Sequence, residues 1–174
     1  MTRIHLVVFT TAVAFAVGCG STSGPSVTPT TADPATVSKY FLTDEPSDAK
    51  SVVDVKASAK DGEEVTLVGR IGGSTSPFVS GRASFTIVDM SFVPCSERPG
   101  DSCPTPWDYC CDTDQLPAGT AVVKVVDADG KTLAKDAEQD LGMKALQTIV
   151  VKGKAVKDEA GNLTVLAPAL FVKK

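Results

Sequence analysis

Five segments with apolar residues at the two-residue period of a strand, and one or two at helical spacing, predict a mainly β domain with one or two helices. A third observation qualifies that class. Between the second and third strand segments lies Pro94 to Thr113, which holds four of the five cysteines, the only tryptophan and four of the eleven prolines. Pro94, Pro99, Gly100, Pro104 and Pro106 forbid a continuous helix or strand there, because proline fixes φ and removes a backbone donor. Order in this insertion must come from something other than backbone ladders, and its cysteines point to sulfur.

Residues 1–19 read as a secretory leader. Arg3 supplies the positive charge, and Leu6 to Val17 form an apolar run shorter than the about 20 residues a membrane-spanning helix requires. Ala16-Val17-Gly18-Cys19 resembles the lipobox of bacterial lipoproteins, departing from it at Ala16, where leucine is commonest. The resemblance makes Cys19 the lipidation site and mature N-terminus, and implies an exported protein held to a membrane of the cell envelope, facing the periplasm or the exterior. The alternative is an ordinary secreted protein cut near Gly18. Residues 20–38 are rich in Ser, Thr, Gly and Pro, bury too little apolar surface to order themselves, and read as a tether.

From Tyr40 the composition becomes that of a packed domain. Residues 39–62 form an N-terminal helical segment, with Ser47 as N-cap, Val52, Val55 and Ala59 on one face, and Asp61-Gly62 as its end. Residues 63–174 form the β domain, with the insertion at 91–119. Its first strand is Glu64 to Ile71, where Val65, Leu67, Gly69 and Ile71 share a face. Gly72 to Gly81 is a loop with Phe78 at its middle. Ala83 to Met90 is the second strand, with Phe85 and Ile87 alternating, and Thr120 to Asp127 the third, ended by the turn Asp127-Ala128-Asp129-Gly130. Leu133, Ala137 and Leu141 are spaced for a helix over 131–141, with Gly142 placed as its C′ residue. Thr148 to Lys157 is the fourth strand, its Gly153 marking a bulge or bend. Leu163 to Val172 is the fifth.

Strand, strand, strand, helix, strand, strand, with glycines in the first and fourth strands, resembles the OB-fold, a five-stranded Greek-key barrel, over about 63–172. Together with the lipobox and the block Cys-Pro-Thr-Pro-Trp-Asp-Tyr-Cys-Cys-Asp, the chain resembles a family of uncharacterised bacterial OB-fold lipoproteins with a cysteine-rich insertion. That family brings no assigned activity with it.

The net charge of the whole chain is −4, and removing the +1 of Arg3 with the leader makes it −5 for the mature chain, which disfavours binding nucleic acid by bulk electrostatics. His5, the only histidine, also lies in the leader. Histidine-based triads, histidine-ligated metals and haem attachment are thereby excluded for the mature chain.

With Cys19 taken by lipid, Cys95, Cys103, Cys110 and Cys111 form an even set in a compartment that permits disulfides. A vicinal bond between Cys110 and Cys111 is disfavoured by the about 3.8 Å separation of adjacent Cα atoms. Two pairings remain: Cys95 with Cys110 and Cys103 with Cys111, or Cys95 with Cys111 and Cys103 with Cys110. A thiolate site for zinc or copper is a second reading, against which stands the lack of Cys-x-x-Cys knuckles. A redox dithiol is a third, and no basic cluster surrounds the thiols to activate them. Trp107 and Tyr109 either pack on the sulfur or serve, with Phe78, as ligand contacts. Asp101, Asp108, Asp112 and Asp114 read as solvated or turn-capping residues, without the spacing of an EF-hand calcium loop.

The resulting expectation is a non-catalytic binding or interaction module, with membrane contact through Cys19 and no required cofactor. An unidentified protein or small ligand is its expected partner. A nucleic-acid-binding OB domain, and a metal-binding or thiol redox protein acting through the four cysteines, are the alternatives.

Overall fold

The protein is described by a computed structural model over residues 38–174; Cys19, the leader and nearly all of the tether lie outside the described residues. Six strands form one mixed sheet: β1 (Lys50–Ser51), β2 (Glu64–Ile71), β3 (Ser84–Val88), β4 (Thr120–Val125), β5 (Thr148–Lys157) and β6 (Leu163–Val172). Among the described residues, helices α1 (Val52–Ser58) and α2 (Leu116–Gly119) accompany them.

The sheet order is β1-β2-β3-β4-β6-β5, and β5 pairs back onto β2. The pairings from β2 through β3, β4, β6 and β5 therefore return to β2. β1–β2 and β4–β6 are parallel and the other pairs antiparallel. The circuit is thinnest between β2 and β3, joined only through Arg70 opposite Val88 and Ile71 opposite Ile87. β1 lies along β2 beside that junction, opposite Leu67 and Val68.

The two-residue period fixes which side chains meet inside. In β2, Val65, Leu67, Gly69 and Ile71 are buried while the residues between them are partly exposed, as the alternation requires. Phe85, Ile87, Val123, Val125, Ile149, Val151, Leu163, Val165 and Leu170 join them in the main core. Burying each such side chain fully contributes about 1.5–3 kcal/mol. The register of β5 against β6 shifts between Lys152 and Lys154, where the single Gly153 of β5 stands opposite two residues of β6, Ala167 and Pro168, which make the bulge. A Cβ on Gly153 would collide with the backbone oxygen of Leu166, so only glycine lets β6 approach this closely.

α1 packs Val52 and Val55 into the same core, the face its spacing predicts. Its cap is Ser51, whose hydroxyl accepts the Asp54 N–H at 3.0 Å, rather than Ser47. The helix cannot start at Ser47, because Lys50 and Ser51 are committed to β1. Asp89, at the end of β3, accepts the Val53 N–H at 2.9 Å and so anchors the first turn of α1 to the sheet. At the other end, Lys157 Nζ donates to the carbonyls of Lys56 (2.7 Å) and Ala59 (3.1 Å), satisfying groups that a helix terminus leaves open.

The helix expected over 131–141 does not form. Thr132 bridges back to Val126, and the Leu133 N–H donates to Val125, so the segment begins as a hairpin return. The Asp136 carboxylate then accepts the amides of Glu138 (3.0 Å) and Gln139 (3.1 Å), giving the backbone a local alternative to helical bonding. Ala137 and Leu141 still reach the core, from a series of turns. Among the described residues no helix is long and apolar enough to cross a membrane.

Candidate functional site

The insertion leaves β3 at Asp89, makes a 3-10 turn at Cys95–Glu97 and returns through α2 into β4. It therefore carries short secondary structure of its own. It also carries a small core, in which Tyr109 and Leu116 pack with Val88 and partly buried Phe92. Lys56 Nζ donates to Pro117 O (2.6 Å) and Thr120 O (3.1 Å), tying α2 to α1. Arg70 Nη1 pairs with Glu97 Oε1 at 2.8 Å, tying β2 to the 3-10 turn.

The central docking contact is backbone. The Gly73 N–H donates to Trp107 O at 2.7 Å, and the Trp107 Nε1–H donates to Thr75 O at 3.1 Å. Gly72 makes this approach possible: a Cβ on it would lie 2.5 Å from Trp107 O and 2.9 Å from Tyr109 Cε2. The glycine pair after β2 is a seat for the insertion.

Of the three aromatic residues expected to contact a ligand, the fold brings two together. Phe78 and Trp107 line one cleft of about 650 Å³ together with Met143, Asp136, Glu138 and Lys144. Tyr109 is excluded from it: its side chain is 1 % exposed, turned into the small core at a backbone φ of 56°. Burial pushes its phenol pKa up against the opposing pull of nearby Arg70. The acidic side of the cleft is held firmly. The Asp136 carboxylate accepts the Gly81 amide at 3.0 Å, and that bond and the one from Gln139, with a smaller contribution from Glu138, outweigh burial and hold its carboxyl below the usual range. Asp136 is not legible as a cleft residue in the sequence, since the segment carrying it reads as a helix.

The four cysteines of the insertion are free thiols, so neither expected disulfide pairing is formed in the structure. Cys110 Sγ lies 3.6 Å from Cys95 Sγ and 4.0 Å from Cys103 Sγ. Both distances exceed the about 2.05 Å of a disulfide. The carboxylate of Asp108, which the sequence presents as a turn residue, joins the group, with Oδ1 3.9 Å from Cys95 Sγ and 4.0 Å from Cys103 Sγ. It caps a turn as well, accepting the Cys110 N–H at 3.0 Å. Cys111 is not one of that quartet, but its sulfur lies within 4.8 Å of Cys95 Sγ and of a carboxylate oxygen of Asp101.

Burial pushes the Cys95 thiol up, and the hydrogen bond shared with Cys95, then burial, do the same for Cys110. A nucleophilic redox cysteine has the opposite shift. Two further acids act as turn and pairing residues: Asp101 Oδ1 accepts the Cys103 N–H at 2.6 Å, and Asp112 pairs with Arg98. No family model matches the chain, and no curated protein matches it.

Proposed function

We propose that the chain is a lipid-anchored, non-catalytic binding module of the cell envelope, whose sheet is an OB-type barrel and whose ligand occupies the cleft between Phe78 and Trp107. The barrel reading is supported by the circuit of pairings from β2 through β3, β4, β6 and β5 back to β2. A five-stranded Greek-key barrel closes in this manner, and OB barrels take ligands on the loop joining their first two strands and on the neighbouring strand face. Here that loop is 72–81, and it lines the cleft with Thr75, Pro77 and Phe78.

The observation that carries the binding reading is the convergence of Phe78 and Trp107. They come from separate loops and are only partly buried, although both are large enough to be core residues. Aromatic walls with a few fixed polar groups are the usual composition of a ligand site. Asp136 and Glu138 on its rim favour a neutral or cationic polar ligand and disfavour a phosphate backbone. Lipid attachment at Cys19 and export carry over from the leader and lipobox pattern.

Because Trp107 is the only tryptophan, its emission reports on the cleft alone. Titration with neutral oligosaccharides, cationic peptides and oligonucleotides is expected to give a saturable change with one of the first two classes. Phe78→Ala is expected to weaken that change, and oligonucleotides to leave the emission flat at about 0.15 M salt. Tight oligonucleotide binding, or equal binding by Phe78→Ala, contradicts the proposal.

A further inference from the structure

Outside the cleft, the sulfur group of the insertion concentrates metal-ligating side chains among the described residues. We propose that Cys95, Cys103, Cys110 and Asp108 form a binding site for one zinc ion, held by three thiolates and one carboxylate. The inference stands independently of the cleft and its ligand.

The geometry of the donors supports it. One ligand atom from each of the four residues lies within 4.8 Å of every other. Zinc–sulfur bonds of about 2.3 Å in a tetrahedron place the sulfurs about 3.8 Å apart. The observed Sγ separations, 3.6 Å for Cys95 to Cys110 and 4.0 Å for Cys103 to Cys110, bracket that edge. The donors come from three parts of the insertion: the 3-10 turn, the segment after Asp101, and the turn between Trp107 and Cys110. A metal at their centre would tie together a segment whose prolines deny it a backbone ladder.

The carboxylate is already oriented. Thr105 Oγ1 donates to Asp108 Oδ2 at 2.9 Å, and the Cys110 N–H donates to Oδ1, so one oxygen is fixed by the hydroxyl while the other faces the sulfurs. Such outer hydrogen bonds are a regular part of metal sites. Access is provided by a second cleft of about 440 Å³, lined by Asp108, Cys110, Thr113 and Leu116 among others. Cys95 is buried and Cys110 exposed, so the site has a closed back and an open front. Cys111 is not a ligand in this arrangement, which separates it from a four-thiolate site. Loading forms three zinc–sulfur bonds and releases three thiol protons to solvent, with no change of oxidation state.

The test is titration of the full mature chain, reduced, freed of metal and kept from air, with cobalt(II) as a coloured substitute for zinc. One equivalent is expected to give thiolate-to-cobalt charge-transfer absorption with tetrahedral d–d bands, both erased by one equivalent of zinc. Variants are placed at Cys103 and Cys110 rather than at fully buried Cys95. Cys103→Ser and Cys110→Ser should each lose the tetrahedral spectrum at one equivalent, Asp108→Ala should weaken cobalt binding while water takes the fourth position, and Cys111→Ser should leave both spectrum and affinity unchanged. Thr105→Val should weaken zinc binding about 10- to 100-fold, the effect of removing an orienting contact. The proposal is overturned if no saturable spectrum develops at one equivalent, or if Cys111→Ser abolishes it as Cys103→Ser does. It is also overturned if chain isolated from its own envelope is metal-free and four hydrogens lighter, the mass of two disulfides.

Discussion

Gly72 has no side chain because the insertion fills the place one would take. A Cβ at this position would come within 2.5 Å of Trp107 O, and it would meet backbone, which cannot swing aside as a side-chain tip can. Gly72→Ala is therefore expected to cost about 1–3 kcal/mol, the usual range for overpacking. Urea unfolding checks the loss, and a red shift of Trp107 emission checks that the insertion has lifted. Asp89 acts through charge. Its side chain is 3 % exposed, and burial alone would raise its pKa. The amides of Val53 and Ser91 and the Ser91 hydroxyl outweigh burial and hold the carboxyl below its usual value. A carboxylate depressed in the folded state stabilises above its unfolded-chain pKa and loses that contribution as pH falls through the folded value. Asp89→Asn is expected to cost about 1–3 kcal/mol at neutral pH. The cost should shrink in acid below the usual carboxylate range; a cost independent of pH contradicts the charge reading.

Among the elements, those governed by local periodicity are legible in the sequence and those governed by competing contacts are not. The bounds of β2, β5 and β6 match the alternation in the sequence, because each buries one face of a sheet. The 131–141 segment reads as a helix because its apolar residues fall at helical spacing, while Asp136 and the Thr132 bridge bind its backbone elsewhere. The same limit applies to the site. Trp107, Phe78 and the cysteines are visible as residue types, but the placement of Tyr109 inward and of Asp108 beside the sulfurs depends on turns that no period encodes. Gly153 is the sharpest test at this scale. Its absent Cβ would collide with the Leu166 carbonyl, so Gly153→Ala must displace β6 or break its pairing with β5. A loss at or above the upper end of about 3 kcal/mol is expected in denaturant unfolding. A change below about 1 kcal/mol, approaching the scale of an ordinary surface substitution, contradicts the bulge assignment.

At the scale of the whole molecule, the proposed function assigns export to the leader, reach to the tether and recognition to the β domain. Cys19→Ser is expected to release the protein from the membrane fraction or block its maturation, since a lipidated cysteine carries the paired acyl chains that stable anchoring takes. Persistence in membranes at high salt contradicts the lipid anchor. Recognition depends on the insertion being part of the folded domain rather than an appendage, because Trp107 supplies one wall of the cleft. The Gly73 amide reports on this directly, as its acceptor is Trp107 O at 2.7 Å, across the seam between sheet and insertion. Hydrogen exchange at that single amide is expected to be as slow as at the buried amides of β2 and β5, opening only with the sheet. Exchange at the rate of an exposed loop, while β2 and β5 stay protected, would show that the insertion does not dock and that the cleft has no Trp107 wall.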